Sequence, residues 1–149
     1  MFSRMMQLVN RTDSVHLTPP QQKDVLDYAK SVPRRFAACR ALEAAEDALV
    51  ERALATAGAA DLGWRTAEAD VRGLIRAVAV GALIDDPEYA AARWGRHLAR
   101  TLDFLDAPDA ADAVFDALRG AAADLLPPDA TDLLAPYFDA VAGTALTPA

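Results

Sequence analysis

The sequence contains a single cysteine, Cys39, so no internal disulfide can form, and a reducing cytoplasmic setting is expected. Histidine is nearly as scarce, with only His16 and His97, and no Cys/His group has metal-ligand spacing. No apolar run reaches the roughly 20 residues that a membrane span needs. Met1 to Val9 is too short and too interrupted to read as a signal peptide. Lys and Arg form no dense run, and the net charge is −7. An acidic chain without a basic patch lacks the electrostatic footprint of a nucleic-acid binder. There is no glycine-rich phosphate loop, no Ser-His-Asp order and no metal-bridging carboxylate set, so no enzymatic activity is expected. The alternating Val-Thr-Tyr patterns of strands are missing too, as are repeats and interdomain linkers.

What is there is alanine and helical periodicity. The 149 residues are 53% hydrophobic and 25% charged, enough for one domain with one core. The pattern predicts an all-α fold of about five packed helices behind an N-terminal helical hairpin. Met5, Met6, Leu8 and Val9 make Phe2–Arg11 a short amphipathic segment. Thr18-Pro19-Pro20-Gln21 reads as a capping box with proline in the first turn, and Pro33 marks the next boundary. From Arg34 to about Ala59, a helix places Phe36, Cys39, Leu42, Ala45, Leu49 and Ala53 on one side. Between Pro87 and Leu105, Ala90, Trp94, Leu98, Thr101 and Leu105 face inward, His97 with them, and Arg93, Arg96 and Arg100 face outward. Two further helices carry Val114, Phe115, Leu118 and Ala122, and then Leu133, Leu134, Tyr137, Phe138, Val141 and Leu146.

The chain is organised around the stretch from Ala67 to Pro87. Val71, Leu74, Ile75, Val78 and Ala82 form an apolar helix face. A second stripe, Ala67, Asp70, Gly73, Ala77 and Gly81, is small or acidic. A ridge that bare admits a closely packed helix or a flat ligand. Two helix-interior glycines, each costing about 1 kcal/mol against alanine, call for a packing or binding reason. Asp86 is positioned to cap the next helix, with Pro87 at its first position.

This helix resembles the central helix of the phycobiliproteins, which opens Cys-x-Arg-Asp, passes through Leu-Arg and ends Ala-Gly-Asp-Pro. In that register Ala67 stands at the cysteine, Asp70 at the aspartate, Ile75-Arg76 at Leu-Arg, and Asp86-Pro87 at the end. Asn10-Arg-Thr-Asp13 resembles the family's opening. Asp124-Leu125-Leu126 and Tyr137-Phe-Asp-Ala-Val-Ala-Gly143 resemble its C-terminal signature. The proline spacing from Pro87 to Pro108 fits as well, so the likeness covers nearly the whole chain. It implies a globin-like core, residues 33–149, behind a two-helix hairpin, residues 1–32.

The resemblance also implies where a pigment would sit. Ala67 replaces the cysteine that tethers the bilin, and a methyl group cannot form that thioether. Cys39 lies on another helix, where a small buried hydrophobe is the expected role. Asp70 matches the carboxylate that accepts the bilin's pyrrole N–H groups. Arg65 and Arg72, near the same helix end, suit propionates. Against these stand ordinary roles: an acid favourable to the helix dipole, and solvated arginines. Trp64 can stack on a flat ligand or close the core edge. Gly73 stands where the family has a tyrosine neighbour, which implies a roomier pocket. Asp13 and Arg76 match a pair that joins hairpin and partner helix across an interface, with Met5, Met6 and Val9 covered by the partner.

The expected function is a phycobiliprotein-like globin, forming a homodimer through its hairpin, that holds biliverdin, phycocyanobilin or a related tetrapyrrole without a covalent bond. Bilin biosynthesis enzymes are the implied partners; no nucleic acid, membrane or metal is expected. The alternatives are a ligand-free dimerisation or docking module on the same scaffold, and, less favoured, a haem or sensor globin using His97.

Overall fold

The computed structural model describes residues 17–58, 63–106 and 108–145, and among them every regular element is helical. Met5, Met6, Val9, Asp13, His16 and Leu146 fall outside the described residues, as does the first part of the expected hairpin. No helix among the described residues is long and apolar enough to cross a membrane.

Helix α1 spans Pro19–Ala57, 39 residues. It starts as its sequence dictates: the Gln21 Oε1 accepts the Thr18 backbone N–H at 2.8 Å, and Pro19 needs no donor in the first turn. The boundary expected at Pro33 is absent, and the helix runs straight through it. A proline inside a helix costs about 3 kcal/mol, through a missing N–H and a ring clash. Tertiary anchors on both sides of Pro33 offset that cost. The Tyr28 hydroxyl donates to the Leu83 carbonyl at 2.8 Å, and Arg35 Nη1 donates to the Ala82 carbonyl at 2.7 Å. The segment expected as a separate hairpin helix is therefore the first part of α1. Cys39, Leu42, Leu49 and Ala53 are buried as their spacing predicts, but Phe36 is 59% exposed.

Helix α2, Ala67–Ile84, is the central helix, and it buries Val71, Leu74, Ile75, Val78 and Ala82. Its C-terminus closes on Asp85, in the left-handed region at φ 55°, and the Asp86 N–H reaches back to the Gly81 carbonyl at 2.9 Å. Gly81 has its reason here. A Cβ at that position would stand 3.0 Å from the Asp86 carbonyl oxygen and 3.4 Å from Tyr137 Cδ1.

Asp86 then caps α3, Pro87–Ala90, accepting the Tyr89 N–H on its side chain at 3.2 Å. Helix α3 continues without a break into a π-helical stretch, Ala91–Gly95, and on into α4, Arg96–Phe104. Helices α5, Pro108–Leu125, and α6, Pro128–Ala145, complete the bundle. Phe115, Leu118, Leu134 and Val141 from these two helices meet Leu42, Leu49, Leu74 and Leu98 in one core. Fully burying each such side chain contributes about 1.5–3 kcal/mol.

One polar knot ties three helices. Arg35 of α1 donates Nη1 to the Tyr137 hydroxyl at 2.6 Å and pairs Nη2 with Asp85 Oδ1 at 2.7 Å. Tyr137 of α6 donates in turn to Asp85 Oδ1 at 3.2 Å. The knot sits at the carbonyl-rich end of α2, where a cation is favoured by the helix dipole.

Candidate functional site

The bare stripe of α2 has two halves with different surroundings. At its N-terminal end, Asp70 is 5% exposed and its carboxylate is surrounded by donors of its own chain. Trp64 Nε1 and Thr66 Oγ1 donate to Oδ2 at 2.8 and 2.7 Å. His97 Nε2 lies 2.9 Å from Oδ1; an ionised carboxylate only accepts, so the imidazole nitrogen donates. Burial works to raise the Asp70 pKa, but the bonds from His97, Thr66 and Trp64 outweigh it and hold the carboxyl below its ordinary range. Trp64 and Ala67 are both buried, so the indole closes the core edge and satisfies Asp70 at once.

Beside the middle of the stripe, at Gly73 and Ala77, the surface is indented. A cleft of about 450 Å³ runs along α2 beside α3 and the π-helical stretch. Its floor is Ala69, Gly73, Ala77 and Val80, and its far wall is Tyr89, Arg93 and Trp94; Arg72 and Arg76 stand at the rim. The volume lies in the range of small-molecule pockets, roughly 300–1,000 Å³. The Trp94 indole lies across Gly73, where any Cβ would collide with its six-membered ring. Gly73 thus makes room for Trp94 rather than an empty notch.

Charge along the rim is organised by Glu46 of α1. Its Oε1 accepts from Arg72 Nη1 at 2.8 Å and from Arg76 Nη2 at 2.9 Å. Arg72 also bonds Asp47 and Glu68, at 2.7 and 2.9 Å, which raises its pKa further above the arginine range. Burial works to raise the Glu46 pKa; the hydrogen bonds from Arg76 and Arg72 outweigh it and lower it. Arg93 has no hydrogen bond or ion pair with any described residue, which leaves it available to an anion.

Several expected placements change. His97 is not inward; its side chain is 50% exposed, with only Nε2 reaching in to Asp70. Arg93 is exposed, as are Arg96 and Arg100, and it also lines the cleft. Arg65 is exposed and does not line the cleft; Arg76 bonds Glu46, and the Asp13 expected to meet it across an interface lies outside the described residues. Cys39 is buried and donates Sγ–H to the Ala79 carbonyl at 3.3 Å, with burial pushing the thiol pKa up against the opposing pull of Arg35. Among the described residues, no group of His, Cys, Asp or Glu is arranged to hold a metal ion.

Tyr89, Glu46 and Thr66 escaped the sequence reading. Thr66 had a usable signal, four residues before Asp70 and so on the same helix face. Glu46 and Tyr89 had none, because their place depends on how α1 and α3 cross α2. Compared with protein-family models and with curated proteins, the chain matches none.

Proposed function

We propose that this chain is a phycobiliprotein-like globin that holds a linear tetrapyrrole, such as biliverdin or phycocyanobilin, non-covalently in the cleft along α2. The observation that carries the proposal is the cleft itself: a floor of small residues, an aromatic wall of Tyr89 and Trp94, and three arginines at its edges. That combination suits a flat apolar molecule bearing carboxylates, since guanidinium forks match carboxylate geometry. Arg93 is the unengaged cation of the three, and Arg72 and Arg76 would exchange part of their contact with Glu46 for the ligand. Asp70 has a supporting place in this reading. Its oxygens already serve Trp64, Thr66 and His97, so pyrrole N–H groups would have to displace one of them. With Ala67 in place of a cysteine, holding and releasing pigment beside bilin biosynthesis enzymes fits better than harvesting light.

Absorbance titration with biliverdin tests the proposal. A shifted and sharpened long-wavelength band is expected with the parent chain. Arg93→Ala should weaken binding, and Ala69→Phe, which fills an exposed part of the floor, should abolish it. An unshifted spectrum with the parent would remove the pigment.

The second reading is a ligand-free dimerisation or docking module. It is favoured by the closed hydrogen bonding of Asp70 and by Val32 and Phe36, one helical turn apart and exposed on α1. Sedimentation of the parent and of Phe36→Asp distinguishes it, because only self-association through α1 would respond to that substitution.

A further inference from the structure

We infer that His97 is a positioning residue for the cleft: anchored by Asp70, its ring fixes Trp94 across Gly73 and so shapes the aromatic wall. The inference rests on the cleft proposed above for its ligand, but its geometry stands without one.

The Asp70 carboxylate is held from within its own helix turn. Thr66 and Trp64 both bond Oδ2, which fixes the plane of the group and leaves Oδ1 directed at the next element. His97 Nε2 meets that oxygen at 2.9 Å. The other side of the imidazole is set against Trp94: the ring centroids are 5.0 Å apart and the planes are 89° to each other, an edge-to-face contact. Trp94 then lies over Gly73 and lines the cleft. A buried, fully oriented carboxylate is thus linked through one histidine to the largest aromatic surface of the site. A surface histidine with a merely structural role would have no reason to join the two. Trp94 and His97 stand three residues apart, the spacing at which side chains meet on one helix face.

The test has two arms. In the ligand-free arm, the ¹⁵N indole signals of the two tryptophans are followed in parent, His97→Ala and His97→Gln chains, with Trp94 assigned by its loss in Trp94→Phe. The Gln variant keeps an N–H for Asp70 and lacks the ring, so it separates the two contacts and guards against misfolding of the Ala variant. Expected is a Trp94 order parameter that falls from about 0.85 toward 0.6 or below in both variants, with Trp64 unchanged in His97→Gln. A Trp94 indole as rigid in both variants as in the parent overturns the inference, whatever the ligand result.

In the second arm, biliverdin affinity is measured in a cycle of His97→Ala and Trp94→Ala. His97→Ala should weaken binding roughly three- to tenfold, the size of one aromatic contact. The double variant should bind no more weakly than Trp94→Ala alone, because His97 acts only through Trp94. Losses that add overturn the positioning role. No binding by the parent removes the tetrapyrrole proposal and leaves the first arm to decide this one.

Discussion

Trp94 occupies the space that a side chain at Gly73 would need, and this one contact joins the central helix to the π-helical stretch. It accounts for a glycine in the middle of a helix, and it yields a sign that helix propensity alone would get wrong. Gly73→Ala gains about 1 kcal/mol of propensity. It also forces a methyl group into the indole, and overpacking of that kind costs roughly 1–3 kcal/mol. Urea denaturation should show a net loss of about 1 kcal/mol. In a Trp94→Ala background the same substitution should become stabilising, because the obstacle is gone.

Asp70 makes stability depend on pH. Its folded pKa lies below the unfolded value, so its contribution is complete above the ordinary carboxylate pKa near 4 and is lost as pH falls through the lower folded pKa. At pH 7, Asp70→Asn should be less stable by roughly 1–2 kcal/mol, since the amide can satisfy Trp64 and Thr66 only by turning its NH₂ toward His97. The gap between parent and variant should narrow steadily below about pH 4. Chemical denaturation across pH 3–7 checks this, and a gap independent of pH would contradict the assignment.

Pro33 is a cost the fold tolerates. Its neighbours on α1 are exposed, so alanine would restore an N–H without a clash. Part of the gain is returned through the greater freedom of the unfolded chain, about 0.4–1 kcal/mol. Pro33→Ala should therefore raise stability by roughly 2 kcal/mol, read as an upward shift in thermal midpoint.

The knot of Arg35, Asp85 and Tyr137 should separate by role. Tyr137→Phe removes a bridging hydroxyl and should cost about 1–1.5 kcal/mol. Arg35→Ala leaves Asp85 without its cation and the Ala82 carbonyl without a side-chain donor, so about 3 kcal/mol is expected. The double variant should lose less than the sum of the two, because both single changes break the same bond between Arg35 and Tyr137.

Much of the helical layout was readable from the residues. The buried faces of α2, α5 and α6 follow from 3.6-residue spacing, and the Asp86-Pro87 start follows from cap chemistry, because both are local properties. Three positions, Pro33, Phe36 and His97, depart from that local code. The local penalty of Pro33 marks a boundary, yet Tyr28 and Arg35 anchor α1 from outside the helix. Spacing puts Phe36 with Cys39 and Leu42, yet Phe36 is exposed among the described residues while those two are buried. Spacing sets His97 inward, yet its side chain is half exposed and only Nε2 reaches in to Asp70.

From the residues alone came the class of fold, the central helix with its bare stripe, and the impossibility of a thioether at Ala67; each depends on the identity and spacing of near neighbours. Only the packed molecule decided that Asp70 faces Trp64, Thr66 and His97, that Trp94 lies over Gly73, and that Arg93 turns into a cleft. Those outcomes depend on how helices distant in sequence cross, which no local code specifies.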